Sequence, residues 1–346
     1  MKRIAAVSLL ALAFALPAQS RDLTVVSYGG AAQQQQKVTI YDPFTKLTGI
    51  PITGDQWGNK LAQLRAQVES GKVSWDVIQA STTSLALGCE EGLFEVIDWS
   101  KLKANRADLD PRTFQKCGLF SVAWSSALAY DADKIADGPK SWADFWDVKK
   151  WPGKRGLYFQ PEQTFEQALM ADGVAPADVY KVLNSPGGVD RAFRKLDELK
   201  PHILWWRNGA EATQRLASGE VVMSSVWNGR IPVLNRENKR NFRVVWSAGH
   251  YMTTEWFAIP KGTPNKEQAL KFLEFWLTPE PGAAYGRSMS MGVPNKKSFQ
   301  MMTAEERAAL PSSEDNAKYG AVSDGKFWSE NREQIDERFQ AWASRR

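Results

Sequence analysis

The sequence predicts a two-lobed α/β clamshell, each lobe a mostly parallel sheet flanked by helices, with two crossovers serving as hinges. Three observations carry that expectation. The 346 residues exceed what one hydrophobic core usually covers. Residues 22–83 alternate strand and helix signals in a β-α-β-α-β order, the pattern of a parallel, doubly wound sheet. Two apolar stretches, 119–130 and 255–260, are placed to carry the chain out of the first lobe and back into it.

Taken in order, Lys2 and Arg3 precede an apolar run at 4–16 that is too short to span a bilayer. Ala18 and Ser20 then offer a small-residue cleavage pattern, so 1–20 is expected to be a cleaved export signal. Residues 22–27 read as a strand that turns through Tyr28-Gly29-Gly30 into a helix over 32–48. A strand at 50–53, a helix over 60–70 closed by Gly71 and a strand at 76–79 follow. Ser81, Thr82, Thr83 and Ser84 suit capping of the next helix, and equally suit hydrogen bonding to a ligand beyond the strand end. Cys89 and Cys117 are the two cysteines; in an exported chain such a lone pair is expected to form one disulfide.

The first lobe is expected to comprise 21–130 and 256–346, the second 131–255. In the second, Ser141 caps a helix, 156–159 is a strand, and Gln160-Pro161-Glu162-Gln163 opens a helix over 164–172. A strand at 203–206 ends in Arg207-Asn208. Gly219 then ends a helix, and the β-branched run 221–226 leads into Trp227-Asn228-Gly229. A large aromatic at the carboxyl end of a buried strand stands where open α/β sheets place ligands. Residues 242–246 read as a strand and 249–254 as a loop. Residues 266–277 and 327–343 are amphipathic helices, and 289–295 loops back toward the crevice.

Composition narrows the function. The formal charge of +5, two less without Lys2 and Arg3, is too mild to argue for nucleic acid or an anionic membrane. His202 and His250 are the only histidines, and neither has a second ligand at zinc spacing; no metal and no cofactor are expected. The chain lacks a G-x-S-x-G elbow, which weighs against an exported α/β hydrolase. It also lacks an adjacent tyrosine pair, which weighs against a ferric-ion carrier. Fifteen tryptophans fit an aromatic-lined site for an organic cation.

Over essentially the whole mature chain, the sequence resembles periplasmic solute-binding proteins of ABC importers, in their spermidine/putrescine-binding branch. The pieces that carry the likeness are Gly219-Glu220-Val221 with Trp227-Asn228-Gly229, then Ala258-Ile259-Pro260, Pro294-Asn295, and Phe327-Trp328-Ser329-Glu330-Asn331. The resemblance implies a periplasmic, non-catalytic monomer that captures a small amine or amino-acid ligand and delivers it to an inner-membrane permease. It places Trp227 on the ligand's alkyl chain, a hydroxyl at Ser81, an aromatic at Tyr28, and at Glu255 the carboxylate that receives an ammonium. The sequence departs from the branch at Gln160 and Gln163, where polyamine binders tend to have carboxylates. Thr253 stands in place of an aromatic and Thr83 in place of a tyrosine. The expected ligand is therefore a polyamine such as putrescine or spermidine, or a related ω-amino acid such as 4-aminobutyrate; the single remaining carboxylate favours the zwitterion, with Arg207 taking its carboxylate.

Overall fold

The structure is a computed structural model that describes residues 21–58 and 60–345; the expected export signal at 1–20 lies outside them. Ten strands among the described residues form one mixed sheet: β1 (Leu23–Ser27), β2 (Ile52–Gln56), β3 (Val77–Ser81), β4 (Gly118–Asp131), β5 (Arg155–Tyr158), β6 (Ile203–Trp206), β7 (Met223–Trp227), β8 (Phe242–Val244), β9 (His250–Ala258) and β10 (Gly320–Val322). They run in the order β2-β1-β3-β9-β4-β7-β5-β6, with β10 beside β9 and β8 beside β4. The outer strands pair in parallel, as the alternating helices require, while β4 and β9 run antiparallel to each other.

Those two strands belong to both lobes. At one end β9 pairs β3 through Glu255 to Ala258; at the other, β4 pairs β7 through Ser126 to Tyr130. Between these ends Ala123 and Trp124 face Thr254 and Thr253, and among the described residues no named strand flanks them, only the isolated bridge of Ala123 to Gly292. The molecule therefore has a two-stranded waist, where sheets twist most readily. A side chain pins it. The Ser125 N–H donates to Asn228 Oδ1 at 2.9 Å, and Asn228 Nδ2 donates to the Ser290 carbonyl at 2.7 Å. A Cβ on Gly229 would lie 2.3 Å from the Met289 carbonyl oxygen, so only glycine lets the chain pass here.

Each lobe buries apolar residues on both faces of its sheet. In the first, Val25, Phe44, Phe257, Phe272 and Trp276 fill one side and Val26, Trp75, Ile78, Phe94 and Trp256 the other. In the second, Leu128, Trp142, Phe145, Phe165 and Leu196 pack against one face and Trp206, Leu216, Val226 and Ile231 against the other. The two lobes and their crossings agree with the expected clamshell.

Several elements differ from the sequence reading. The first helix runs from Gly30 to Thr48 with a π segment at Lys37–Tyr41. Pro43 has no N–H to give to the carbonyl four residues back, and the widened turn just before it lets the helix continue. The loop read at 249–254 is instead the first half of β9; Thr253 and Thr254 look like loop residues, yet β4 pairs with them and both are buried. The C-terminal helix Gly325–Ser344, expected in the first lobe with 256–346, begins against Thr82 of that lobe but runs on over the second. It sets Phe327, Trp328, Ile335 and Phe339 into the cluster holding Trp142 and Phe165.

The Cys89–Cys117 disulfide is present, joining the helix Thr82–Glu90 to the start of β4 across a separation of 28 residues. Closing a loop of that size stabilises the fold by roughly 3 kcal/mol in the chain-entropy model. Reduction should lower the denaturant midpoint accordingly while leaving ligand affinity unchanged, because neither sulfur touches the site described next. Denaturant titrations with and without a thiol reductant check this.

Candidate functional site

Strand alternation puts the candidate residues on one face of the sheet. Residues directly opposite in neighbouring strands share a face, and β9 sets Ser81 and Val122 opposite Glu255, and Trp124 opposite Thr253. One strand further, Trp227 stands opposite Ser126. Trp124 is the single partly exposed residue of β4. It bridges the waist: its Nε1 donates to Glu255 Oε1 at 3.0 Å, and its ring centroid lies 5.8 Å from that of Trp227.

Glu255 is 7% exposed. The Tyr28 hydroxyl donates to its Oε2 at 2.5 Å, and among the described residues no lysine or arginine forms an ion pair with it. Burial raises its pKa above the usual carboxylate range; the Tyr28 and Trp124 donors pull it back, and the charge of Glu162 pushes it further up. The same burial, together with the Glu255 charge, holds the Tyr28 hydroxyl protonated well above its ordinary range. A carboxylate with two neutral donors and no cation is costly to keep ionised. An ammonium group arriving from solution would supply the missing charge.

Aromatic rings surround it. Trp227 ends β7 with its ring 5.8 Å from Tyr158 and 5.5 Å from Trp206, and Tyr158 stacks on Trp206 at 4.6 Å. Tyr251 lies 6.0 Å from Trp124. Tyr28 keeps 41% of its surface exposed although its hydroxyl turns inward to Glu255. The indole N–H of Trp227 donates to Gln163 Oε1 at 3.1 Å. Gln163 takes a left-handed backbone, φ 79° and ψ −43°, which costs a residue with a side chain on the order of 1–3 kcal/mol. Strain of that kind persists where the surroundings over-determine it, as at ligand clamps.

The remaining candidates are placed as follows. Ser81 caps the helix Thr82–Glu90, its Oγ accepting from the Ser84 N–H at 3.2 Å, so its capping role and its place beside Glu255 coexist. Thr253 is buried under Trp124. Gln160 precedes the helix Pro161–Ala171 and is held through its backbone, N–H to the Tyr158 carbonyl at 2.8 Å. Arg207 is exposed, its guanidinium 3.9 Å over the Phe159 ring, and Phe159 packs on Trp205 and Phe339. No contact among the described residues joins Arg207 to Trp227 or Glu255.

Sequence reasoning passed over five residues of this region: Trp124, Tyr158, Glu162, Tyr251 and Arg230. A Cβ on Gly209 would meet Trp227 Cε3 at 2.6 Å and Arg230 Nε at 2.8 Å, so both side chains come down on the same glycine. Arg230 is exposed and forms no ion pair with any described residue. Two signals could have found part of this set. Trp124 is bulky amid Ala123, Ser125 and Ser126, and Tyr251-Thr253-Glu255 alternates with period two. Among the described residues no three His, Cys, Asp or Glu side chains gather to hold a metal ion.

The chain is 41% identical over 336 residues to the gamma-aminobutyric acid-binding protein of Pseudomonas aeruginosa, covering 97% of this chain and 95% of that one. It is 26% identical over 291 residues to spermidine/putrescine-binding periplasmic protein 1 of Haemophilus influenzae, covering 80% and 78%. A solved GABA receptor superimposes with a TM-score of 0.83 at 32% identity, over 94% of this chain and 98% of that chain. Residues 39–312 match the family model for the bacterial extracellular solute-binding protein, and the chain belongs to that family.

Proposed function

We propose that this chain is the periplasmic binding component of an ABC importer, and that its ligand is a small ω-amino acid, 4-aminobutyrate before putrescine. The observation that carries the reading is Glu255: a buried carboxylate with two neutral donors and no cation among the described residues, walled by Trp124 and Trp227. The ammonium end pairs with Glu255, the methylene chain lies against the indoles, and the carboxylate end reaches Arg230. Arg230 is preferred to Arg207 because it borders Trp227, whereas Arg207 rests on Phe159. The ligands for which the relatives are named, gamma-aminobutyric acid and spermidine or putrescine, support an amine in this class.

Export with removal of 1–20 belongs to the same reading, and the Cys89–Cys117 disulfide supports an oxidising compartment. The lobes divide at the waist, with 320–345 joining the second. Ligand that touches Glu255 on one side and Trp227 on the other favours the closed arrangement and so shifts the population toward it. An enzymatic reading gains little from the serine–histidine pair found among the described residues. Ser125 Oγ and His250 Nδ1 lie 2.8 Å apart, but both residues are 0% exposed and His250 Nε2 already meets the Asn316 carbonyl at 3.0 Å.

The test is titration calorimetry, with indole fluorescence in parallel, of the mature chain against 4-aminobutyrate, putrescine and spermidine. Saturable 4-aminobutyrate binding with a fluorescence change is expected. Arg230→Gln should weaken 4-aminobutyrate by about 10- to 100-fold, the worth of a charged hydrogen bond, without weakening putrescine, whose second ammonium the arginine repels. Tight spermidine binding without any 4-aminobutyrate binding would overturn the reading.

A further inference from the structure

A second carboxylate lies behind the aromatic wall. Glu162 has an extended backbone, φ −61° and ψ 134°, just before the left-handed Gln163 that reaches Trp227. Its Oε1 accepts from the Tyr251 hydroxyl at 2.7 Å and from Ser323 Oγ at 3.3 Å. Tyr251 in turn packs against Trp124. The other oxygen, Oε2, is taken by the guanidinium of Arg332, which arrives from the C-terminal helix and lies 5.4 Å over the Trp328 ring. Glu162 is near enough for its charge to be felt at Glu255.

We propose that Arg332 determines the charge specificity of the site: by neutralising Glu162 from behind Tyr251, it leaves Glu255 as the carboxylate at the aromatic wall that lacks a counter-charge and so selects ligands with one ammonium over diamines. This rests on the reading that Glu255 receives an ammonium. With the pair intact, the second ammonium of a diamine would be desolvated without a partner, which disfavours binding relative to leaving that group in water. Removing Arg332 turns Glu162 into a second anionic pole, separated from the first by Trp124 and Tyr251. Removing Glu162 leaves Arg332 as an unopposed cation beside the same wall, apart from Asp336 on its own helix.

The experiment titrates 4-aminobutyrate and putrescine into the mature wild-type chain, Arg332→Met, Glu162→Gln and the double variant. Methionine keeps a stem to pack on Trp328 while discarding the charge. Arg332→Met should gain about tenfold or more for putrescine relative to 4-aminobutyrate, the effect of one full charge at short range in a protein interior. Glu162→Gln should shift the ratio about tenfold the opposite way, and the double variant should lose the gain. If Arg332→Met fails to fold, the Glu162→Gln shift alone decides. Wild-type ratios in whichever single variants fold, or a gain that survives in the double variant, would overturn the proposal. A wild-type chain that binds neither amine instead overturns the assignment of Glu255.

Discussion

Glu255→Gln should lower affinity for 4-aminobutyrate by roughly 30- to 4000-fold, the range for truncating one partner of a buried, hydrogen-bonded charge pair. The same substitution should make the unliganded protein more stable near neutral pH. Two terms compete there. Glutamine offers one acceptor oxygen where Glu255 offers two, so either the Tyr28 hydroxyl or the Trp124 N–H loses its acceptor, at about 1–3 kcal/mol. Against that, a buried charge with no opposite charge beside it costs several kcal/mol, and the amide removes it. The second term is the larger, so the expected signature is opposite signs: weaker binding and a higher melting temperature. Calorimetric titration and thermal unfolding read the two effects. An Glu255→Gln protein that binds within threefold of wild type would remove Glu255 from the site. Because burial raises the Glu255 pKa, wild-type affinity should also fall on acidification through that raised value, as the carboxylate takes up a proton and loses its charge.

Stability should fall as pH rises from 5 to 8, and Glu166→Gln should flatten that slope. Glu166 is 0% exposed, inside the junction between the helix Pro161–Ala171 and the C-terminal helix. Its Oε1 accepts from the Tyr180 hydroxyl at 2.5 Å and from Trp328 Nε1 at 3.2 Å, while Oε2 has no donor. Burial pushes its pKa up to about 7, the Tyr180 donor restrains it, and the charge of Glu162 adds to the rise. Arg332, the nearby cation, is engaged by Glu162. A carboxyl whose pKa is higher folded than unfolded holds a proton that the unfolded chain sheds. Its contribution is therefore complete below the ordinary carboxylate pKa and lost as pH climbs through about 7. The loss is on the order of 3 kcal/mol. Denaturant unfolding across that range measures it, and an unchanged slope in Glu166→Gln contradicts the account. Glu255 titrates with the same sign and accounts for a remainder.

The elements with strong local signals were legible. The β-branched run before Trp227, the helix closed by Gly71 and the hydroxyls after β3 all lie where their chemistry directs them. Tyr28, Ser81, Thr253, Glu255 and Trp227 do share one face at the waist. What escaped reading depends on pairing across long stretches of chain. Nothing near Thr253 announces that β4 will lie alongside and turn an apparent loop into a buried strand. Amphipathicity says that the helix Gly325–Ser344 must hide one face but not which lobe will receive it. The left-handed Gln163 is imposed by its surroundings, since no glutamine prefers that backbone. For the same reason two arginines after strand ends looked alike, and only packing against Phe159 or Trp227 distinguishes Arg207 from Arg230.

The sharing of β4 and β9 between lobes has a consequence for biogenesis. Neither half can be completed from a contiguous piece of the polypeptide: the core around Trp142 waits for Phe339, and the one around Val25 waits for Trp276. Partners so remote along the chain meet slowly, because ring closure in an open coil is an entropic search. A nascent chain of this design cannot finish either native core until late in its synthesis, the condition a polypeptide must keep if it is to be threaded through a narrow translocation pore.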